Sequence, residues 1–256
     1  MCYDVSFVEK MNALTALFPT LIFDEEISVQ YTPDHILGHA YPEHPIIYRN
    51  REDELIHCSL MEWGIIPFYI KDEDAFKKQR ASMLNVRSER IFDDPKSYWY
   101  KIRNRRCLIP VTGFYEHRTV KGFKNKIPYH IAINDRSIFY LPGLYSIANL
   151  PDKETGEIMD RKTFAILTTS ANRIMQEIHN SGANTCRMPL MLSDEDALRW
   201  LAEDIAETDL KDILKYQITD AELKWQPVFS IRTSKQREDG KAKNETYNWP
   251  GLEALV

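Results

Sequence analysis

Five short apolar runs between residues 107 and 169 constrain the fold of this chain more than any other feature. They cover 107–110, 113–117, 127–133, 138–147 and 164–169, and Gly, Asn, Asp or Pro bounds each of them. Val, Ile, Phe and Tyr recur in them, side chains that suit a pleated, half-buried surface. Short β-rich runs punctuated this way imply antiparallel sheets and argue against repeated βαβ units. The polar stretch 149–162 (NLPDKETGEIMDRK) reads as a hairpin-like connection between the last two runs.

The flanking sequence adds smaller elements. Residues 3–8 (YDVSFV) can open as a strand, and 9–18 carry helical spacing at Met11, Leu14 and Leu17 before stopping at Phe18-Pro19. Residues 20–50 are rich in Pro, His and Tyr and read as extended segments and turns, with a strand at 45–48. Residues 55–63 are apolar and β-leaning and run into WGIIP. The polar stretch 71–83 suits a helix or a surface excursion, and 97–103 a short amphipathic helix. Ser170-Ala171-Asn172 can cap a helix over 173–178, and Ser193 with Asp196 resembles a capping box before a helix over 194–203. In that helix Leu198 and Leu201 are expected to face inward. A helix over 208–216 and a strand over 225–231 follow, and the polar, charged tail from 232 is expected to be mobile. The whole reads as one α+β domain over 1–256, mainly antiparallel sheet with peripheral helices and a core over about 2–231.

Composition narrows the function classes. The 256 residues are 43% hydrophobic and 28% charged, enough for an ordinary globular core. No apolar run approaches the ~20 residues that span a bilayer, and no secretory signal is visible, so no membrane partner is expected. Cys2, Cys58, Cys107 and Cys186 lie far apart with no Cys-x-x-Cys pair, which argues against zinc and a disulfide scaffold. A reducing cytoplasm is the expected compartment. The net charge of −5 argues against a protein coated in positive charge. The bases nonetheless gather in the middle third, at 77–80, 87–90, 101–106 and 121–126, so a local basic groove is open to the chain.

The candidate chemistry is scattered. A Cys directly after the initiator Met is small enough for that Met to be trimmed, which leaves an α-amine and a thiol on adjacent carbons of Cys2. The amine titrates near ~7.7–8.0 and the thiol near ~8.5. Such a 1,2-aminothiol condenses with an aldehyde through an imine to a five-membered thiazolidine. Glu116 lies in the hydrophobic stretch GFYEH, where partial desolvation would raise its pKa and suit it to proton transfer. Strand alternation could equally point it at solvent. His179 ends an apolar helical stretch, and Asn85 and Arg87 alternate on one expected strand.

MCYDV, WGIIP, LNVRSERI, RRCLIPVTGFYEH, TTSAN, IHN and RMPLML occur in this order over residues 2–192. As a set they resemble the SRAP (SOS response-associated peptidase) family of abasic-site processing proteins. The resemblance implies a DNA-repair protein whose mature N-terminal Cys bonds covalently to the aldehyde of an abasic site in single-stranded DNA. It implies Cys2 as nucleophile, Glu116 as general acid/base, Asn85 as a positioning group and His179 as a second acid/base. It further implies Arg87 and Arg187 on flanking phosphates, and Trp63 or its neighbours stacking on bases. No cofactor is expected, and a monomer at the nucleoid or replication fork is.

Three departures from the family pattern stand out. Seven residues, 180–186, separate His179 from Arg187, where the family usually has His-x-Arg-Met-Pro. That insertion could bulge outward or displace one of its ends. His117 follows Glu116 where Trp is frequent, and Tyr69 sits where a second Trp is common. The same residues would also serve a cysteine-type peptidase, including removal of the chain's own Met1. A non-covalent single-strand-binding module is the third reading.

Overall fold

The computed structural model describes residues 2–255 apart from 26, 28–30, 153, 234 and 236. Among the described residues the strands are β1 Asp4–Ser6, β2 Ile22–Phe23, β3 Ile36–Leu37, β4 Glu43–Arg49, β5 Ile56–Trp63, β6 Asn85–Arg87 and β7 Arg106–Val111. They continue with β8 Gly113–Arg118, β9 Ile127–Ile133, β10 Phe139–Pro151, β11 Ile158–Ser170, β12 Arg187–Pro189 and β13 Leu223–Pro227. The helices are α1 Glu73–Arg80, α2 Arg90–Asp93, α3 Tyr98–Lys101, α4 Arg173–Ile178, α5 Asp194–Leu201 and α6 Glu207–Lys215. Among the described residues, none is long and apolar enough to cross a membrane.

Two sheets result. The smaller runs β13-β9-β8-β1-β3 and the larger β12-β11-β10-β7-β4-β5-β2. In the larger, β11 also pairs parallel with β5, Thr163 opposite Glu62, so β11-β10-β7-β4-β5 closes on itself as a barrel. Closure removes the free edges that an open sheet would present. β11 further pairs parallel with β6, and β2 with β5, so the mainly antiparallel fold has three parallel contacts that the runs themselves do not announce. Trp63, Phe164, Ile46, Ile47, Leu108 and Leu141, all essentially inaccessible, pack on the two covered faces of these strands.

The stretch 149–162 is mostly the two arms of a hairpin, with Leu150 paired to Met159 and a turn around Asp152–Gly156. The helix at 9–18 is shorter and tighter than the spacing suggests, a 3-10 helix over Met11–Ala16. Both expected caps form: Asn172 accepts from Met175 N–H and Ser193 from Asp196 N–H. Leu201 is buried, but Leu198 faces solvent at 47% exposure. The inward stripe of α5 is Ala197, Trp200 and Leu201, because Trp200 takes the core position and donates its indole N–H to Cys107 O at 3.0 Å.

The tail beyond 231 makes its own set of contacts. Its composition is polar, yet its described residues are tied to the body. Arg237, 8% exposed, donates to the carbonyls of Ala242 (3.0 Å), Glu245 (2.7 Å) and Thr246 (3.0 Å) and pairs with Asp239. Trp249 donates its indole N–H to Val228 O at 3.0 Å, and Val228 bridges to Thr246. One buried guanidinium that satisfies several carbonyls organises a loop that hydrophobic content alone would leave loose.

Candidate active site

β1 lies between β8 and β3, with Val5 opposite Phe114 and Ser6 opposite Gly113. Carried outward, that antiparallel register brings Tyr3 level with Glu116 and Cys2 just beyond it. Gly113 makes the close packing of β8 possible, since a Cβ there would come 2.0 Å from His130 Nε2. β6 is placed from the other sheet, Asn85 opposite Ile166 of β11. The two sheets thus meet where Asn85 Nδ2 donates to the carbonyl oxygen of Cys2 at 2.8 Å. The Oδ1 of Asn85 is buried with no hydrogen-bond partner among the described residues.

Glu116 is 6% exposed. Alternation misleads here because β8 is covered on both faces from Gly113 to Glu116. Burial pushes the Glu116 carboxyl up to about 7, and Asp4 adds to the effect. Burial also raises the Cys2 thiol well above its usual range, with Glu116 as the next cause. A resting Cys2 therefore holds its proton, and the neighbouring carboxyl is poised to exchange one near neutral pH.

His179 ends α4 and stands 3.9 Å from Glu116 Oε1 through Nδ1. The same Nδ1 donates to Arg187 O at 3.2 Å, so Nε2 is the basic nitrogen of the neutral ring. Burial lowers its pKa, which keeps the ring neutral at pH 7. That contact also brings the two ends of the 180–186 insertion together. The loop bulges outward, pinned where Asn180 and Thr119 exchange hydrogen bonds of 2.9 and 3.0 Å.

Cys2, Asn85, Glu116 and His179 thus converge, beside a cleft of about 330 Å³ that Glu116 and His179 line with Asp4, His117, Lys126 and Arg232. Asp4, Lys126 and Arg232 had not been singled out from the sequence. Asp4 is 2% exposed and held by His35 at 2.8 Å and by a two-pronged pair with Arg232. A lone acid in the apolar strand YDVSFV was the available signal for it. His117 is pushed down to about 4 by burial and so is neutral at pH 7.

The expected DNA contacts fare differently. Arg87 is exposed on β6. Arg187 is buried, and its guanidinium forks onto Glu89 at 2.6 and 2.9 Å and onto Thr168 O at 2.6 Å. It clamps β11 to the β6–α2 turn, and its charge is taken up there. Trp63 is 1% exposed, stacks on Phe164 at 5.9 Å and donates to Leu84 O at 2.9 Å. Its ring is core and has no face for a base. The exposed aromatics of that segment are its neighbours Phe68 and Tyr69, at 42% and 56% exposure.

The family model for SOS response associated peptidase (SRAP) matches residues 1–231, and the chain belongs to that family. Among its relatives, the abasic site processing protein YoqW of Bacillus subtilis is 33% identical over 164 residues, 63% of this chain and 66% of that protein. The mouse abasic site processing protein HMCES is 26% identical over 180 residues, 60% of this chain and 47% of that protein. The chain thus aligns with somewhat under two thirds of the first of these and about half of the second. A crystal structure of a Bacteroides thetaiotaomicron protein superposes with a TM-score of 0.75 at 28% identity, covering 95% of this chain and 97% of that one.

Proposed function

We infer that this protein processes abasic sites by capturing them covalently in single-stranded DNA, and so shields the lesion from strand cleavage. The observation that carries the reading is the convergence of Cys2 on a buried, neutral-pH carboxyl, Glu116, with Asn85 holding the Cys2 carbonyl at 2.8 Å. The name borne by its relatives agrees with it.

Removal of Met1, by the chain itself or by a processing enzyme, frees the Cys2 amine. His179 Nε2 takes the proton of the anomeric hydroxyl as the C1′–O4′ bond breaks and returns it to the ring oxygen, which leaves as a hydroxyl, and the sugar opens to the aldehyde. The amine adds to the aldehyde carbon to give a carbinolamine. Protonated Glu116 gives its proton to the departing hydroxyl, water leaves and the imine forms. The resulting Glu116 carboxylate then takes the Cys2 thiol proton. The sulfur adds to the carbon of the protonated imine, whose nitrogen keeps its proton, and the ring closes with Glu116 again protonated. The sum is aminothiol plus aldehyde to thiazolidine plus water. The buried Oδ1 of Asn85 is an acceptor for the freed amine or a sugar hydroxyl. Arg87 holds a flanking phosphate, and Phe68 and Tyr69 take the stacking role first assigned to Trp63.

The test uses protein shown by intact mass to lack Met1, mixed with a single-stranded oligonucleotide carrying one abasic site. A band that survives denaturing electrophoresis, and is lost in Cys2→Ala, is expected. Absence of that band from wild type with a free Cys2 amine would overturn the reading. Cleavage of unrelated peptides would then favour the peptidase, and salt-sensitive binding without a covalent product the non-covalent module.

A further inference from the structure

We propose that the C-terminal segment beyond the family's common core builds a second groove, which holds the phosphodiester backbone of single-stranded DNA flanking the lesion. The proposal rests on the abasic-site reading and extends it.

The family model stops at residue 231, and the next residue, Arg232, reaches back to Asp4 in the cleft. From there the chain walls a groove of about 430 Å³ with Phe229, Lys235, Arg237, Lys241 and Lys243, opposite Asp34. Its volume is ample for a nucleotide. In a chain of net charge −5, residues 229–243 carry five cations against two carboxylates. Arg237 is spent on loop carbonyls and Asp239, and Lys235 pairs with Glu238 at 3.8 Å, so Lys241 and Lys243 are the groove's cations for a ligand.

Groove and cleft share a wall. His35 holds Asp4 at 2.8 Å on the cleft side, and the adjacent Asp34 accepts the Lys243 N–H at 3.1 Å on the groove side. Tyr115, the neighbour of Glu116, donates its hydroxyl to Asp34 O. An aromatic cluster backs the groove: Phe229 against Tyr247 at 4.9 Å, and Tyr247 against Trp249 at 5.0 Å. Phe123 also touches Trp249, and its near neighbour Lys126 lines the cleft. Lysines beside an aromatic platform, anchored rather than loose, are what a sequence-tolerant single-strand track requires. A strand crossing the cleft can continue along this groove.

The experiment measures fluorescence anisotropy of an unmodified single-stranded oligonucleotide of about 20 nucleotides, longer than a single-fold site. The protein is full-length Cys2→Ala, so binding is read without cross-linking. Lys241→Gln with Lys243→Gln should weaken binding about tenfold and flatten the plot of log affinity against log salt by about 1.4, at ~0.7 per lost phosphate contact. Lys211→Gln with Lys215→Gln on α6 makes the same charge change elsewhere and should leave affinity within about twofold. Equal effects of the two pairs, or none from the groove pair, would overturn the proposal. Failure of the abasic-site reading would appear separately, as no cross-link in the denaturing gel with Cys2 intact.

Discussion

Replacing Glu116 by Gln should make the protein more stable at pH 8 while disabling its chemistry. Burial raises the Glu116 carboxyl from an ordinary 4.5 to about 7 in the folded protein. Below pH 4.5 the carboxyl is protonated in both folded and unfolded chains, and its stability contribution is fully present. As pH rises toward 7 the unfolded chain releases the proton while the folded protein keeps it, and that stability is progressively lost. Above 7 both forms are ionised and the loss levels off at roughly 3 kcal/mol, from ~1.4 kcal/mol per pH unit across the gap. Glu116→Gln cannot ionise and escapes this cost. Urea unfolding of wild type and variant at pH 5 and pH 8 measures it, through the midpoint at constant slope. The variant's advantage should widen by up to about 3 kcal/mol between the two pH values. An advantage that stays constant with pH, or a wild type that gains on the variant at pH 8, would refute the burial argument. The cost has a use. With its carboxyl raised to about 7, Glu116 exists in both protonated and ionised forms near neutral pH, where an ordinary carboxyl is almost wholly ionised, and this supplies acid and base in one cycle. Cross-linking by the variant should accordingly slow by about 10²–10⁴-fold with single-strand binding nearly intact.

Further consequences are open to simple measurement. Asn85→Ala removes the donor to Cys2 O; cross-linking should slow at least tenfold and stability fall by about 1 kcal/mol, whereas an unchanged rate would remove Asn85 from the site. Trp63→Ala should cost about 3–5 kcal/mol of stability as a core deletion. Phe68→Ala with Tyr69→Ala should leave the melting temperature nearly unchanged but weaken single-strand binding by about 1–3 kcal/mol per base stacked; the reverse pattern would restore Trp63 as the base contact. Gly113→Ala drives a methyl into His130 and should lower stability by about 1–3 kcal/mol in a thermal melt.

Local information accounts for much of the architecture. The run at 127–133 is β9 to the residue, and the caps at Asn172 and Ser193 stand where the side chains signalled them. These succeed because strand alternation and capping are decided by near neighbours in sequence. The ordered motifs MCYDV, LNVRSERI, GFYEH and RMPLML identify the family without a fold, since they are a property of the string itself.

What the string could not settle depends on partners distant in sequence. Barrel closure joins β5 to β11 in parallel, Thr163 to Glu62, a pairing that neither run encodes. The same WGIIP segment carries one aromatic into the core and, just past its Pro, sends two toward solvent; only packing against Phe164 and Leu84 decides that Trp63 is the buried one. Arg187 looks like a phosphate ligand until Glu89 takes its fork. Burial of β8 on both faces sets Glu116 near pH 7, an effect of surroundings that no spacing of residues records. The polar tail becomes structure because one arginine finds three carbonyls. Sequence by itself determined which groups this protein has for chemistry, because chemistry resides in side chains. Tertiary structure decided which of them meet, and in which protonation state, because distance and dielectric exist only once the chain is folded.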